Sequence, residues 1–262
     1  DAACLEDKAS NFLCGIYLDE QCAGVAFCDI STGKAHLTAF TGKERTEHVI
    51  NELGRFSPAE AVVNQGAADD GDLIAALRDK FHSRVENGGR DRFSLTEAEK
   101  NIRRQFGDEA FEKLPRGNPA AAMALGGLLD YLYETQKADL SHINDLDYYE
   151  QGRFMELDLA ARRNLELTET LRNKEKKGSL LWVLDHTKTA MGSRMLRSWL
   201  EKPLLSPKRI NARLDAVEEL TKNSIGRDEL VHMLQDVSDY ERVTARIVTG
   251  AANCRDLVSL GN

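Results

Sequence analysis

The chain opens in a strand-like rhythm. Asn11 to Leu18, Ala23 to Ser31 and Ala35 to Thr41 are short runs rich in apolar, aromatic or β-branched residues, and the polar breaks Asp19-Glu20-Gln21 and Thr32-Gly33-Lys34 separate them. Two connections that short predict an antiparallel meander. Beyond it the apolar period lengthens. Val49, Ile50, Leu53 and Phe56 fall on one helical stripe and Leu73, Ile74, Leu77 and Phe81 on another, with the apolar run Ala59 to Val63 between them. That pattern predicts a strand flanked by crossover helices. Asn118 as N-cap and Pro119 at the first helical position then open a long helix through Leu125, Leu129, Leu132 and Tyr133.

From about Leu157 the strand rhythm stops. Asp158 is placed to cap a helix carrying Ala161, Leu165, Thr168 and Leu171, and Met191, Met195, Trp199 and Leu200 make a second that ends before Pro203. Ser206 and Pro207 start a third, on which Ile210, Leu214, Val217 and Leu220 recur at helical spacing. A last pair covers Leu230 to Val237 and Tyr240 to Val248. The predicted fold class is α/β followed by all-α: a mixed sheet with flanking helices, in the strand order of ribonuclease H-like folds, and then an all-helical half. The division is drawn between residues 1–138 and 139–262. There is no internal repeat or low-complexity tract.

Length agrees with that division, since 262 residues correspond to about two domains of roughly 150 residues. Lysine and arginine number 35 against 43 aspartates and glutamates, a net −8 that excludes a globally basic nucleic-acid binder. The charge divides unevenly, −7 over residues 1–138 and −1 over 139–262, with a local +7 from Arg153 to Arg213. Those bases interleave with acids at helical ion-pair spacing and so predict solvated helix faces. No run approaches the roughly 18 apolar residues of a membrane span, and the start DAACLEDKAS lacks the basic and apolar segments of a leader. The expectation is a soluble cytoplasmic chain. Because it starts at Asp1 without a methionine, it is also expected to be a piece of something longer. Five cysteines, an odd number, fit a reducing compartment, and the spacing of Cys14, Cys22 and Cys28 is not that of paired zinc ligands.

The familiar catalytic constellations are missing. Gly33-Lys34 and Gly42-Lys43 lack the other residues of a phosphate-cradling P-loop and are expected to be turns. A nuclease on such a sheet needs carboxylates converging on two Mg2+ ions, yet Asp29 is the one carboxylate inside the three meander strands. Asp69, Asp70 and Asp72 gather at a helix start, where capping and the macrodipole account for them. His36 and His186 lie near Ser and Thr but in no Gly-x-Ser-x-Gly or Cys-His motif. Phe154-Met155-Glu156 matches the pattern Phe-x-Glu, an aromatic wedge with a base-binding carboxylate, but directly before a helix cap it is read as packing.

Four segments of the second half, LDLAARRNLEL (157–167), LLWVLDHTKTAMGSR (180–194), MLRSWLEKP (195–203) and INARLDAVEEL (210–220), resemble in order the core domain of the MutS family of DNA mismatch repair proteins. In the first half, GVAFCDISTG (24–33) and the stretch Ala120 to Lys137 with ALGGLLDYLYETQK resemble that family's connector domain. The resemblance implies a connector domain over 1–138 and the first part of the helical core, or lever, over 139–262, a partial bundle whose missing return helices leave apolar surface exposed. It implies a parent that dimerises, binds mismatched double-stranded DNA, recruits MutL and hydrolyses ATP with Mg2+. The family's mismatch-reading, nucleotide-binding and clamp residues fall outside this stretch, so Phe154 and Glu156 inherit no role. What remains is a non-catalytic coupling element without catalytic, cofactor or metal residues of its own, binding DNA weakly or not at all alone. A partner surface for MutL is placed on the polar face of the helix near Ser94 to Phe106, with Lys100, Asn101 and Arg104. The alternative is a metal-dependent nuclease on the sheet around Asp29.

Overall fold

The computed structural model describes residues 11–89, 91–115, 117–136 and 139–261. Residues 1–10 with Cys4, on which the expectation of no leader rests, and Lys137 and Ala138 at the expected division lie outside the described residues. The chain divides into two compact units, residues 11–151 with 244–252, and residues 152–243 with 253–261.

In the first unit the meander forms as its pattern requires: β1 (Phe12–Leu18), β2 (Cys22–Asp29) and β3 (Lys34–Thr41) pair antiparallel. Asp19 closes the first turn by accepting from the backbone N–H groups of Gln21 (2.8 Å) and Cys22 (2.7 Å). Gly33 takes φ +73° in the second turn, where a Cβ would stand 2.2 Å from the His142 carbonyl oxygen, so only glycine fits there. Next come α1 (Arg45–Phe56), β4 (Glu60–Val63), α2 (Gln65–Asp69) and α3 (Gly71–Ala75), the last continued by a π turn over Ala76–Lys80. β5 (Arg84–Asn87), α4 (Leu95–Phe106), α5 (Asp108–Glu112), α6 (Ala120–Thr135) and β6 (Asp145–Tyr148) complete the unit's main elements. The sheet order is β5-β4-β1-β2-β3-β6, with β4 parallel to β1, β5 parallel to β4 and β6 parallel to β3.

Successive strand residues point to opposite faces, and each face buries its own core. Ile16, Val25 and Phe27 pack with Val49, Leu53 and Phe56 of α1 and with Leu73 and Leu77. Leu13, Ala26 and Leu37 pack with Leu125, Leu128, Leu129 and Leu132 of α6 and with Ile102 of α4. The long helix starts one residue later than its pattern suggests: Pro119 takes the cap position and Asn118 accepts from the Ala120 N–H at 3.2 Å. β5 and β6 have no counterpart in the sequence reading. They are four-residue edge strands carrying Arg84 and Glu86, or Asp145 and Asp147, so an apolar rhythm has no length in which to show. β6 lies beyond residue 138 and belongs to the sheet, so the helical character begins after Tyr148.

In the second unit Asp158 caps α7 (Leu159–Asn164) by accepting from the Ala161 N–H. The helix stops there, which corrects the stripe drawn through Thr168 and Leu171: Glu166 turns to φ +46°, and its carbonyl and that of Leu167 accept from Leu180 and Leu181. α8 (Leu180–Leu184), α9 (Ala190–Glu201), α10 (Pro207–Lys222), α11 (Ser224–Gln235), α12 (Tyr240–Val248), whose residues from 244 on belong to the first unit, and α13 (Cys254–Gly261) follow. The stripe of α10 forms but stays open, Leu214 at 57% and Val217 at 61% exposure, and Ile225 and Met233 of α11 are likewise exposed.

The segment between α8 and α9 is tied by one enclosed carboxylate. Asp185, its side chain 2% exposed, accepts from Lys176 Nζ (2.6 Å), Thr187 Oγ1 (2.6 Å) and Ser193 Oγ (2.7 Å). Burial alone would raise its pKa, but these hydrogen bonds and the Lys176 charge outweigh that and hold it well below the usual carboxylate range. A carboxyl depressed in the folded state contributes stability that is fully present above its unfolded value, about 3.9, and is lost as pH falls through the folded value. Asp185→Asn is therefore expected to cost about 2 kcal/mol at neutral pH, discounted for the half-open lysine, with the gap to the parent chain narrowing below about pH 4. Urea unfolding followed by the fluorescence of Trp182 and Trp199, both in this unit, reads it; a deficit that does not change with pH disproves it.

Candidate functional site

The surface singled out by sequence is α4. Ser94 caps it by accepting from the Glu97 N–H (3.3 Å), and Gly107 ends it at φ +86°. Ala98 and Ile102 are buried toward α6, and the face at Glu97, Lys100 and Arg104 turns outward. Lys100 pairs with Glu97 at 3.0 Å, and the exposed Arg104 lays its guanidinium 4.2 Å from the Tyr133 ring centre. Asn101 is a correction to the sequence reading. It is 4% exposed, and its Nδ2 donates to the Gly126 carbonyl at 3.3 Å, so it bolts α4 to α6 and offers nothing to a partner. Ala98, Asn101, Ile102 and Gln105 share one helical face, and that spacing carried the signal. Arg103, unnamed at first, also borders this surface, bridging Glu99 (2.9 Å) and Asp108 (2.7 Å) over the Phe111 ring. The surface alternates Lys100, Arg103 and Arg104 with Glu97, Glu99 and Asp108, and it can dock a polar, charged partner by exchanging those pairs.

The carboxylates considered for metal chemistry are occupied otherwise. Asp29 is buried, and its Oδ1 accepts from the Ser31 N–H (2.9 Å) and hydroxyl (2.6 Å) in a tight Asx turn at the end of β2. Asp70 caps α3 through the Leu73 N–H (3.0 Å) and accepts from the Thr46 hydroxyl (3.0 Å), and Asp69 accepts from Gln65 Nε2. Among the described residues no three or more His, Cys, Asp or Glu gather where they could hold a metal ion, and the nuclease reading has no support. His36 lies 3.4 Å from Asp147, and His186 sits exposed beside Thr187. Cys14 and Cys28 are buried in the strands, and burial pushes both thiols up, with the charge of Asp29 adding at Cys28. Phe154 bridges to Leu204 and packs under Arg153 and Lys202. Among the described residues no helix is long and apolar enough to cross a membrane.

Comparison with known proteins agrees with both units. The family model described as MutS domain II matches residues 11–144, and that described as MutS domain III matches residues 160–262. The DNA mismatch repair protein MutS of Acetivibrio thermocellus is 40% identical over 261 residues, 99% of this chain and 30% of the relative. That of Clostridium novyi is 41% identical over 262 residues, 100% and 28% respectively. That of Ruminiclostridium cellulolyticum is 38% identical over 262 residues, 100% and 30%. The chain thus spans about 30% of the length of these relatives.

Proposed function

Since this chain belongs to the MutS family, matching its domains II and III in order, we propose that it is the connector and the first part of the helical core of a mismatch repair protein, a coupling element without chemistry of its own. The carrying observation is that the domain II match falls within the sheet unit, the domain III match covers the helical unit from residue 160 together with 244–252, and the two take up less than a third of the relatives' length. Mismatch reading and ATP hydrolysis with Mg2+ are then assigned to the rest of a dimeric cytoplasmic parent. The sheet order, three antiparallel strands flanked by parallel β4 and β5, supports a ribonuclease H-like fold for the connector. Two separately packed units in one chain are the arrangement through which ligand-biased changes pass from one module to another. The exposed stripe of α10 suits cover by further helices of the parent's core.

The isolated chain is expected to show neither ATP turnover nor preference for mismatched over paired duplex, and turnover above a blank overturns the reading. Partner docking is proposed at Lys100 and Arg104, without the buried Asn101. Lys100→Glu with Arg104→Glu is expected to weaken capture of MutL by the chain at least about tenfold in a pull-down with DNA present and absent. Unchanged capture removes that surface from consideration.

A further inference from the structure

β6 is a four-residue edge strand, and two residues after Tyr149 the chain leaves the sheet unit. A segment so short, with Asp145 and Asp147 on it, is held by little apolar burial beyond Leu146 and Tyr148, which pack partly buried against the core. Its neighbour Tyr149 is 5% exposed, however, and is held three ways. Its N–H donates to the Leu37 carbonyl at 3.2 Å, its hydroxyl donates to Glu52 Oε2 at 2.6 Å, and its ring lies 4.8 Å from the Arg55 guanidinium. Arg55, 7% exposed, in turn donates to both Glu52 oxygens (2.9 and 3.2 Å) and lies 4.6 Å from the Phe56 ring. Phe56 stacks on Phe27 in the floor of the sheet at 3.9 Å between ring centres. A buried arginine costs desolvation that a plain apolar contact would avoid, and here the cost is spent on the residue where the chain exits.

We propose that Glu52, Arg55 and Tyr149 form a latch pinning the exit segment 145–151 to α1, so that β6 and the exit open together as one local unit when the latch is released while β1 to β4 stay closed. The latch sets how freely the strand leading out of the sheet unit can come away, with Glu52 as the hub, because both other members bond to it. It acts on segment 145–151 and does not depend on what the whole protein binds.

Hydrogen exchange of the full chain tests this. Tyr149→Phe keeps the ring and deletes the bond to Glu52, and Glu52→Gln keeps the shape and deletes the charge. Each is expected to speed exchange of the amides at 145–149 by about tenfold or more, the worth of a buried hydrogen bond to a charged group, with β1 and β2 amides unchanged. The double variant is expected to add less than the sum of the two single ones, because both weaken the Tyr149–Glu52 bond. Equal acceleration across β1, β2 and β6, no acceleration at 145–149, or fully additive effects would each overturn the latch.

Discussion

Gly24→Ala is expected to destabilise the sheet unit by at least about 3 kcal/mol, the upper range for forcing atoms into a packed core. A Cβ on Gly24 would stand 2.0 Å from the carbonyl oxygen of Ala120, 2.2 Å from its carbon and 2.7 Å from the Ala121 nitrogen. These are backbone atoms of the first turn of α6, so no rotamer change relieves the clash. One turn on, a Cβ on Gly15 would meet the Ala124 oxygen at 2.3 Å, so α6 lies across β2 and β1 on two glycines. Relief requires lifting the helix off a core that includes Leu125, Leu128 and Leu132. Pairing the variant with Ala120→Gly is not expected to restore stability, because the obstruction is the carbonyl and not the methyl. Gly71→Ala is the control. It lies in the first turn of α3, nothing comes within 4 Å of its Cβ, and alanine favours the helix by up to about 1 kcal/mol. Because both tryptophans lie in the other unit, the experiment follows urea unfolding by hydrogen exchange at β1 and β2 amides. A Gly24→Ala chain as stable as Gly71→Ala sinks the close-approach argument.

What the sequence disclosed follows from how each element is stabilised. β1 to β3 are covered on both faces, so their apolar content was visible, and α1 carried a clean stripe from Val49 to Phe56. Asp158 and Ser206 marked helix starts by local chemistry alone, although the structure gives Ser206 no side-chain cap hydrogen bond. β5 and β6 escaped because an edge strand is held by its neighbour's ladder and by contacts distant in sequence, and charge on it is protective. Asn101 was misplaced because its type suggested solvent while its spacing with Ala98 placed it inside. The latch joins residues 97 apart, Glu52 and Tyr149, and no local pattern encodes such a pair. Family membership was legible because four motifs stood in order, yet motifs say nothing about which of their residues meet. Arg194, at the end of one of them, illustrates this.

Arg194→Met is expected to cost the helical unit about 3–5 kcal/mol, the range for removing one member of a buried ion-pair cluster. The guanidinium, its side chain 7% exposed, makes a two-pronged bond to Asp239 (2.7 and 2.8 Å) and reaches Glu241 at 2.7 Å, joining α9 to the start of α12 across 45 residues of chain. Burial alone would raise the pKa of Asp239, but the hydrogen bonds and charge of Arg194 outweigh it and hold the carboxyl below its ordinary value. Asp239 also accepts from the Arg242 N–H at 3.3 Å, so it is fixed in place and cannot turn to solvent without loosening the helix start. Methionine fills much the same volume, so the loss measures what the Arg194 charge contributes to the two carboxylates. Their pKa values then rise, and the variant's deficit is expected to shrink on acidification as the pair takes up a proton. In the parent chain the sign is opposite: the lowered Asp239 contributes stability above its unfolded value near 3.9 and loses it below. Adding Asp239→Asn and Glu241→Gln to Arg194→Met is expected to recover at least half of the loss, because neutral amides bear burial without a counter-ion far better than carboxylates do. Urea unfolding by tryptophan fluorescence at pH 7 and pH 4 measures all of this, and a triple variant no more stable than Arg194→Met alone shows that packing, not charge, holds α9 to α12.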